Sequence, residues 1–373
     1  MSRIRISNGF VIDPKNEING IKDIYIDNDR IVSSLPSFDT DIDATGCYVF
    51  PGLIDFHCHL YGGSSFGINP DLLLATGVTS AVDAGTAGYI NYEDFYRSVV
   101  TRSKVSLKTF INISPIGQPG AGVNEPLQRE LINKETLKAV IEKHNDVILG
   151  LKVRISKPIV GSLGLDPLKH ALELGEEFGL PINVHVTNPS EKLSEVVKYF
   201  RKGDIFTHVF EGTGYTIIED GHVAPEIIDA KKRGVIFDCA NGRSNFVFEV
   251  AEKALSEGFY PDVISSDITT FNFNKPYLVK NLPFIMSKYL NLGMELEDVI
   301  KAVTETPATL MGESEKLGHL GEGAASDVTI CRIEGREVLF KDTLGNERKG
   351  KKVIEPVMVL KNGEYVYTSP DFS

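Results

Sequence analysis

Short apolar runs bounded by turn residues fill the first fifty positions, and they predict strands at 3–6, 10–12, 23–26, 30–33 and 47–50. Asn8-Gly9 and Asn19-Gly20 lie between them and read as turns. The far end of the chain has the same character, with strands expected at 327–332, 353–361 and 365–367 and a turn at Asn362-Gly363. Neither piece is large enough to bury a good core alone, so the two ends are expected to pair into one small β-sandwich.

Between the two ends the pattern changes. Short apolar strands at 49–56, 79–84, 107–113, 148–155, 181–186, 205–210, 234–239 and 262–266 alternate with helix-length segments such as 166–178, 190–200 and 246–256. Alternation of this kind is the signature of parallel βαβ units, and eight of them close most naturally into a (β/α)8 TIM barrel. Further helices are expected at 276–290 and 296–304. The expected organisation is α/β: a barrel over 52–317 and a composite sandwich of 1–51 and 318–373. A Gly/Pro-rich loop at 115–126 follows the third strand, either as a simple turn or as a cover over the barrel mouth.

Composition narrows the function classes. With 373 residues, 42% hydrophobic and 24% charged, the chain reads as a folded protein with a sizeable core. Its net charge of −12 repels nucleic acid and anionic membrane surfaces, so neither is an expected partner. The N-terminal residues lack the apolar stretch of a signal peptide, and no apolar run is long enough to span a bilayer, so a cytoplasmic location is expected. Cys47, Cys58, Cys239 and Cys331 form no C-x-x-C pair and sit in apolar surroundings, as buried free thiols do. Homo-oligomerisation is left open.

In a TIM barrel the reactive groups gather at the carboxyl ends of the strands. Five of the eight expected strands deliver ionisable groups there: His57 and His59, Lys152, His185, His208 and Asp267. Two residues apart, His57 and His59 point the same way from a strand and can grip one cation. A chance pair of histidines has the same spacing, and His185 or His208 taken singly reads equally as a hydrogen-bonded core histidine. Taken together, the set suits a metal centre. Lys152 stands among apolar neighbours, where an ammonium is costly. Desolvation would lower its pKa, and the neutral amine can take up carbon dioxide to give a carbamate able to bridge two cations; an ordinary lysine whose tip reaches solvent or a phosphate is the alternative. Asp267 is placed either to move a proton beside an activated water or simply to cap a helix.

The run Pro51-Gly52-Leu53-Ile54-Asp55-Phe56-His57-Cys58-His59 resembles the P-G-x-[IV]-D-x-H-x-H strand of the amidohydrolase superfamily. The resemblance covers nearly the whole chain, through Ser265-Ser266-Asp267, Thr306-Pro307-Ala308 and the stretch from Gly321 to Asp327. It implies two divalent metal ions, zinc being expected. His57, His59 and Asp267 would hold one, His185 and His208 the second, with carbamylated Lys152 as the bridge. It also implies that a metal-activated hydroxide attacks a carbonyl while Asp267 handles the proton. Lys152-Val153-Arg154, the run Thr207 to Gly212, Met286-Ser287-Lys288 and Leu292-Gly293-Met294 are most similar to the amidohydrolase/deacetylase subgroup, whose members are often named dihydroorotase-like. Asn241-Gly242-Arg243 stands where a subgroup member carries His-Gly.

Hydrolysis of an acyclic amide or ester of a small molecule is therefore expected. Opening of a cyclic amide is one rival, but the tyrosine that hydantoinases place after strand three is missing from 114–123. Adenine-type deamination is another; it would want His-x-x-Glu on strand five, and here that spacing is His208 to Glu211, on strand six. A catalytically dead scaffold would have lost ligands, and all six are present. Arg154, Asn241 and Arg243 are the candidate substrate-binding residues. Either arginine suits a substrate carboxylate or a structural salt bridge to a loop.

Overall fold

The computed structural model describes residues 2–372. Seven strands form one curled, all-parallel sheet in the order Ile236–Asp238, Ile205–Thr207, Ile182–His185, Ile148–Arg154, Ser106–Asn112, Val78–Gly88 and Leu53–Cys58. Consecutive strands are neighbours throughout, so the sheet is a chain of βαβ crossovers and the fold is mixed α/β of TIM-like type.

The expected eighth strand is present only as an extended segment. Val263 bridges Asp238 at one sheet edge and Ile268 bridges Cys58 at the other, both in parallel sense. Asp267 N–H donates to His57 O at 2.8 Å and His59 N–H to Ile268 O at 3.0 Å. A continuous ladder is interrupted because Asp267 takes a left-handed backbone, φ 50°.

Helix Asp166–Phe178 ends at Gly179, as its sequence predicts. The helix expected at 190–200 shrinks to Leu193–Val196 and one 3-10 turn, because Asn188 adopts φ 46° and Pro189 follows it. The one expected from 276 starts only at Leu282, where the Asn281 side chain accepts from Phe284 N–H at 3.0 Å.

Both chain ends contribute to one six-stranded sheet, ordered Glu364–Thr368, Val353–Lys361, Val328–Glu334, Tyr48–Pro51, Phe10–Asp13, Ile18–Ile21. A four-stranded sheet of Arg30–Val32, Ile24–Asp27, Arg3–Ser7 and Thr40–Asp43 shares an apolar cluster with it, including Ile4, Ile26, Val49, Val328 and Leu360. Three local expectations change. The strand expected at 49–56 is two strands parted at Gly52, where a side chain would come within 2.2 Å of Thr79 Oγ1. Asn8-Gly9 carries the chain from one sheet to the other instead of closing a hairpin, and Asn19-Gly20 lies inside a strand. Asn362-Gly363, with φ 50° and 76°, does close a hairpin.

A hairpin absent from the sequence reading, Val338–Lys341 with Glu347–Gly350, reaches back to the carboxyl ends of the parallel strands, where Thr343 N–H donates to Phe246 O at 3.0 Å. All four cysteines are buried and free. Among the described residues no helix is long and apolar enough to cross a membrane.

Candidate metal centre

The parallel strands bring the six selected residues to one end of the sheet. Asp267 Oδ1 lies 3.8 Å from His57 Nε2 and 3.2 Å from His59 Nε2, and these three donors fall within 4.8 Å of one another. The His208 ring stands 5.4 Å from that of His57 and 4.3 Å from that of His185. Lys152 is fully buried on the strand between those carrying Asn112 and Asn183, and its ammonium donates to Asn183 Oδ1 at 2.7 Å. His208 and Asp267 both adopt left-handed backbones, φ 68° and 50°. Strain of this kind is characteristic of functional sites.

Electrostatics set the protonation states. Burial, with the Lys152 charge and the other rings adding to it, holds His57 and His185 well below the usual imidazole range and His208 at about 4. Neutral rings are the form that binds a cation. Burial also pushes the Lys152 amine down to about 7, against the opposing pull of Asp267 and Asp238.

Hydrogen bonds decide which ring nitrogen is left as an acceptor. His57 Nδ1–H donates to Asp238 Oδ2 at 3.1 Å. His59 Nδ1–H donates to Thr86 Oγ1 at 2.7 Å, and that hydroxyl passes its own proton to Asp83 Oδ2 at 2.8 Å. His208 Nδ1–H donates to Ala240 O at 2.8 Å. All three rings therefore present a lone pair on Nε2, and His208 Nε2 is buried without a partner among the described residues. His185 is held through Nε2, 3.0 Å from Ser156 Oγ, which leaves Nδ1. Imidazoles steered by outer partners, converging on a carboxylate and leaving an orphaned buried acceptor, fit a divalent cation.

A cavity of about 650 Å³ opens above these residues, lined by His59, His185 and Asp267 below and by Phe66, Phe271 and Arg243 toward the rim. That size suits a small molecule. The three candidate substrate residues fare differently. Arg243 is exposed on the cavity wall, stacks over Phe271 at 4.8 Å and has no carboxylate partner among the described residues. Arg154 also reaches the wall, but its guanidinium is taken up by buried Glu125, Nη2 to Oε2 at 2.7 Å. Asn241 does not line the cavity; it is buried, and its Oδ1 accepts from Lys288 Nζ at 3.3 Å. A polar side chain one residue before a left-handed glycine has turned inward to satisfy a buried ammonium, not outward to a ligand.

Sequence reasoning missed the supporting residues. Asn245 lines the cavity and donates to Asp267 Oδ2 at 3.2 Å, while Glu125 comes from the Gly/Pro-rich loop at 115–126 that follows the third parallel strand. Asp238, Asp83 and Asn183 carried a usable signal: each is a polar side chain inside an apolar strand, and such a group needs a buried partner.

The sequence profile of the amidohydrolase family matches residues 48–366. A deacetylase of Agrobacterium fabrum is 31% identical over 358 residues, covering 93% of this chain and 87% of that protein. Two crystal structures superpose with a TM-score of 0.89 at 29% identity: one of an adenine deaminase, covering 98% of this chain and 99% of that one, and one of a dihydroorotase, covering 99% and 98%. With its His-His-Asp group and its curled parallel sheet matched along nearly all of its length, the chain belongs to the amidohydrolase family of hydrolases.

Proposed function

We propose that this chain is a binuclear metal-dependent hydrolase that cleaves an acyl amide or ester of a small molecule bearing a carboxylate. The barrel would be a closed (β/α)8 unit over 52–317, with 1–51 and 318–373 forming a composite sandwich. One cation would be held by His57, His59 and Asp267 and the second by His185 and His208, with carbamylated Lys152 between them; zinc suits imidazole-rich donors. The observation that carries the reading is the set of ring tautomers, which leaves acceptor nitrogens converging on Asp267.

Bound divalent ions would supply Lewis acidity, acidifying a water and polarising a carbonyl. Asp267 turns Oδ1 toward His57 and His59, and its Oδ2, oriented by Asn245, takes the proton of the attacking water and passes it to the leaving amine or alkoxide. Arg243 receives the substrate carboxylate at the rim, since its guanidinium has no competing anion among the described residues. Phe66 and Phe271, 5.8 Å apart, shield the site from bulk water. The setting would be cytoplasmic, with a small molecule as the only partner the reaction needs.

The test is metal analysis of the purified protein, expected to give close to two equivalents, followed by assay of N-acetyl amino acids and acetylated hydroxy acids against hydantoin, dihydroorotate and adenine. Turnover of the acyl compounds supports the reading. Turnover confined to the last three overturns it in favour of cyclic-amide opening or deamination, the activities named for the two structural neighbours.

A further inference from the structure

Asp342-Thr343-Leu344-Gly345-Asn346 forms the tip of the hairpin Val338–Lys341 with Glu347–Gly350. Asp342 is 3% exposed and fixes the shape of that tip: Oδ1 accepts from the N–H groups of Leu344 and Asn346 at 2.9 and 2.8 Å, and Oδ2 from Asn346 Nδ2 at 3.0 Å. The same Oδ2 accepts from Phe248 N–H at 3.2 Å, the first residue of the helix Phe248–Ser256. A carboxylate at a helix N-terminus is a stabilising cap, here supplied from a distant part of the chain. Lower on the hairpin, Arg348 grips Glu252 of that helix with Nε and Nη2, at 2.6 and 2.9 Å.

The clamp bears on a segment with little order of its own. Residues 239–247 form neither helix nor strand, yet they carry Arg243 and Asn245 to the cavity. Thr343 lines the cavity beside Asn245 and holds Phe246 on both sides: its N–H donates to Phe246 O at 3.0 Å, and its Oγ1 accepts from Phe246 N–H at 3.3 Å. That N–H belongs to the peptide group joining Asn245 to Phe246, so the threonine hydroxyl sets the plane from which the Asn245 side chain departs. The Asn245 amide accepts from the Thr187 hydroxyl at 3.1 Å and donates from Nδ2 to Asp267 Oδ2 at 3.2 Å. Gly242, with φ 51°, lies flat against this pair, where a side chain would come within 2.5 Å of both Asn245 Nδ2 and Asp267 Oδ2. Contacts therefore run without a break from the hairpin, through one peptide group and one amide, to the carboxylate.

We infer that Thr343 is a positioning residue for hydrolysis, which holds the Asn245 amide on Asp267 through the Asn245–Phe246 peptide; the inference rests on the hydrolytic reading above. Asp267 can move a proton only while its carboxylate faces the attacking water, and the Asn245 hydrogen bond limits its rotation. Without the Thr343 hydroxyl the peptide can turn, Asn245 swings with it, and Oδ2 loses its donor. The C-terminal hairpin is thus a working part of the site and not only a cover for the helix beneath it.

The experiment is a double-mutant cycle on whichever acyl substrate turns over. Thr343→Val keeps the branched shape and removes the acceptor, while Thr343→Ser keeps the acceptor. Asn245→Leu should lower kcat roughly 100-fold and Thr343→Val roughly tenfold, as misalignment of a reacting group does, with KM unchanged and the loss equal on carboxylate-bearing and neutral substrates. Thr343→Ser should behave as wild type. The double variant Asn245→Leu/Thr343→Val should be no slower than Asn245→Leu alone, because the two residues act along one line. Hydrogen exchange over 241–247 reads the tether without a substrate: it should speed up in Thr343→Val and stay at the wild-type rate in Thr343→Ser. Additive losses in the double variant would overturn the inference, as would unchanged exchange, an equal loss in Thr343→Ser, or a rise in KM confined to carboxylate-bearing substrates. A fall in metal content or melting temperature that accounts for the lost rate would do the same. If wild type opens only cyclic amides, the acyl reading fails by itself, and the same cycle run on the cyclic amide still decides the role of Thr343.

Discussion

Replacing Asp238 with Asn keeps the shape of the side chain and removes one acceptor, which isolates its effect on His57. In the native arrangement Asp238 Oδ2 accepts from His57 Nδ1–H at 3.1 Å, while Oδ1 accepts from Ala240 N–H at 3.0 Å and from the Ser265 hydroxyl. Asparagine can serve only one side with oxygen. The Ser265 hydroxyl can rotate to accept, but the Ala240 N–H cannot change its role. An imidazole can, by moving its proton from Nδ1 to Nε2. The Asn amide group should therefore face His57, and His57 should switch tautomer so that Nε2, the atom nearest Asp267, carries a proton. Recovering the ligand then costs about one hydrogen bond to a charged group, about 1.5–3 kcal/mol. That corresponds to roughly 10- to 100-fold weaker metal binding, the usual effect of losing an outer partner of a metal-bound histidine. Chelator competition against zinc reads the affinity directly, with thermal melting as the control for folding. An Asp238→Asn protein that melts like wild type and holds metal with unchanged affinity would refute the claim that this carboxylate sets the tautomer.

Three further outcomes follow from named contacts. Lys152→Ala should lower metal content below two equivalents, and short carboxylic acids or bicarbonate should restore part of the activity; unchanged metal content and rate would make the residue structural. Arg243→Met should raise KM roughly tenfold or more for carboxylate-bearing acyl compounds and leave neutral esters unaffected, because the guanidinium has no anionic partner among the described residues; equal losses on both substrate types would count against it. Burial pushes the Lys288 amine down to about 7, with Cys239 and Asp342 opposing, so between pH 7 and about 10 the unfolded chain binds the proton that the folded chain has lost. Stability relative to Lys288→Met should therefore rise with pH across that window, and denaturation curves showing a pH-independent difference would refute the assignment.

The alternation of apolar strands with helices fits the seven observed parallel strands in order, and the six residues picked out at strand ends stand at one end of that sheet, because both depend on local periodicity and residue type. Asn362-Gly363 was legible for the same reason: its two left-handed residues are a property of the dipeptide. Other features depended on what approaches from elsewhere in the chain. Gly52 divides one apolar run into two strands of different sheets because Thr79 and Asp327 crowd it, and neither is near in sequence. The fate of the arginines was decided in the same way. Glu125 occupies Arg154 across a gap of 29 residues, whereas Arg243 lies over the face of Phe271 and has no carboxylate partner among the described residues. Asn241 turned inward because Lys288, on a distant helix, needed an acceptor. The sequence by itself determined which side chains stand at the strand ends, since the strand repeat and the polarity of each position are written locally. Only the tertiary structure decided which of them keep an unpaired donor, acceptor or charge facing the cavity, because pairing depends on distances between segments that no local pattern encodes.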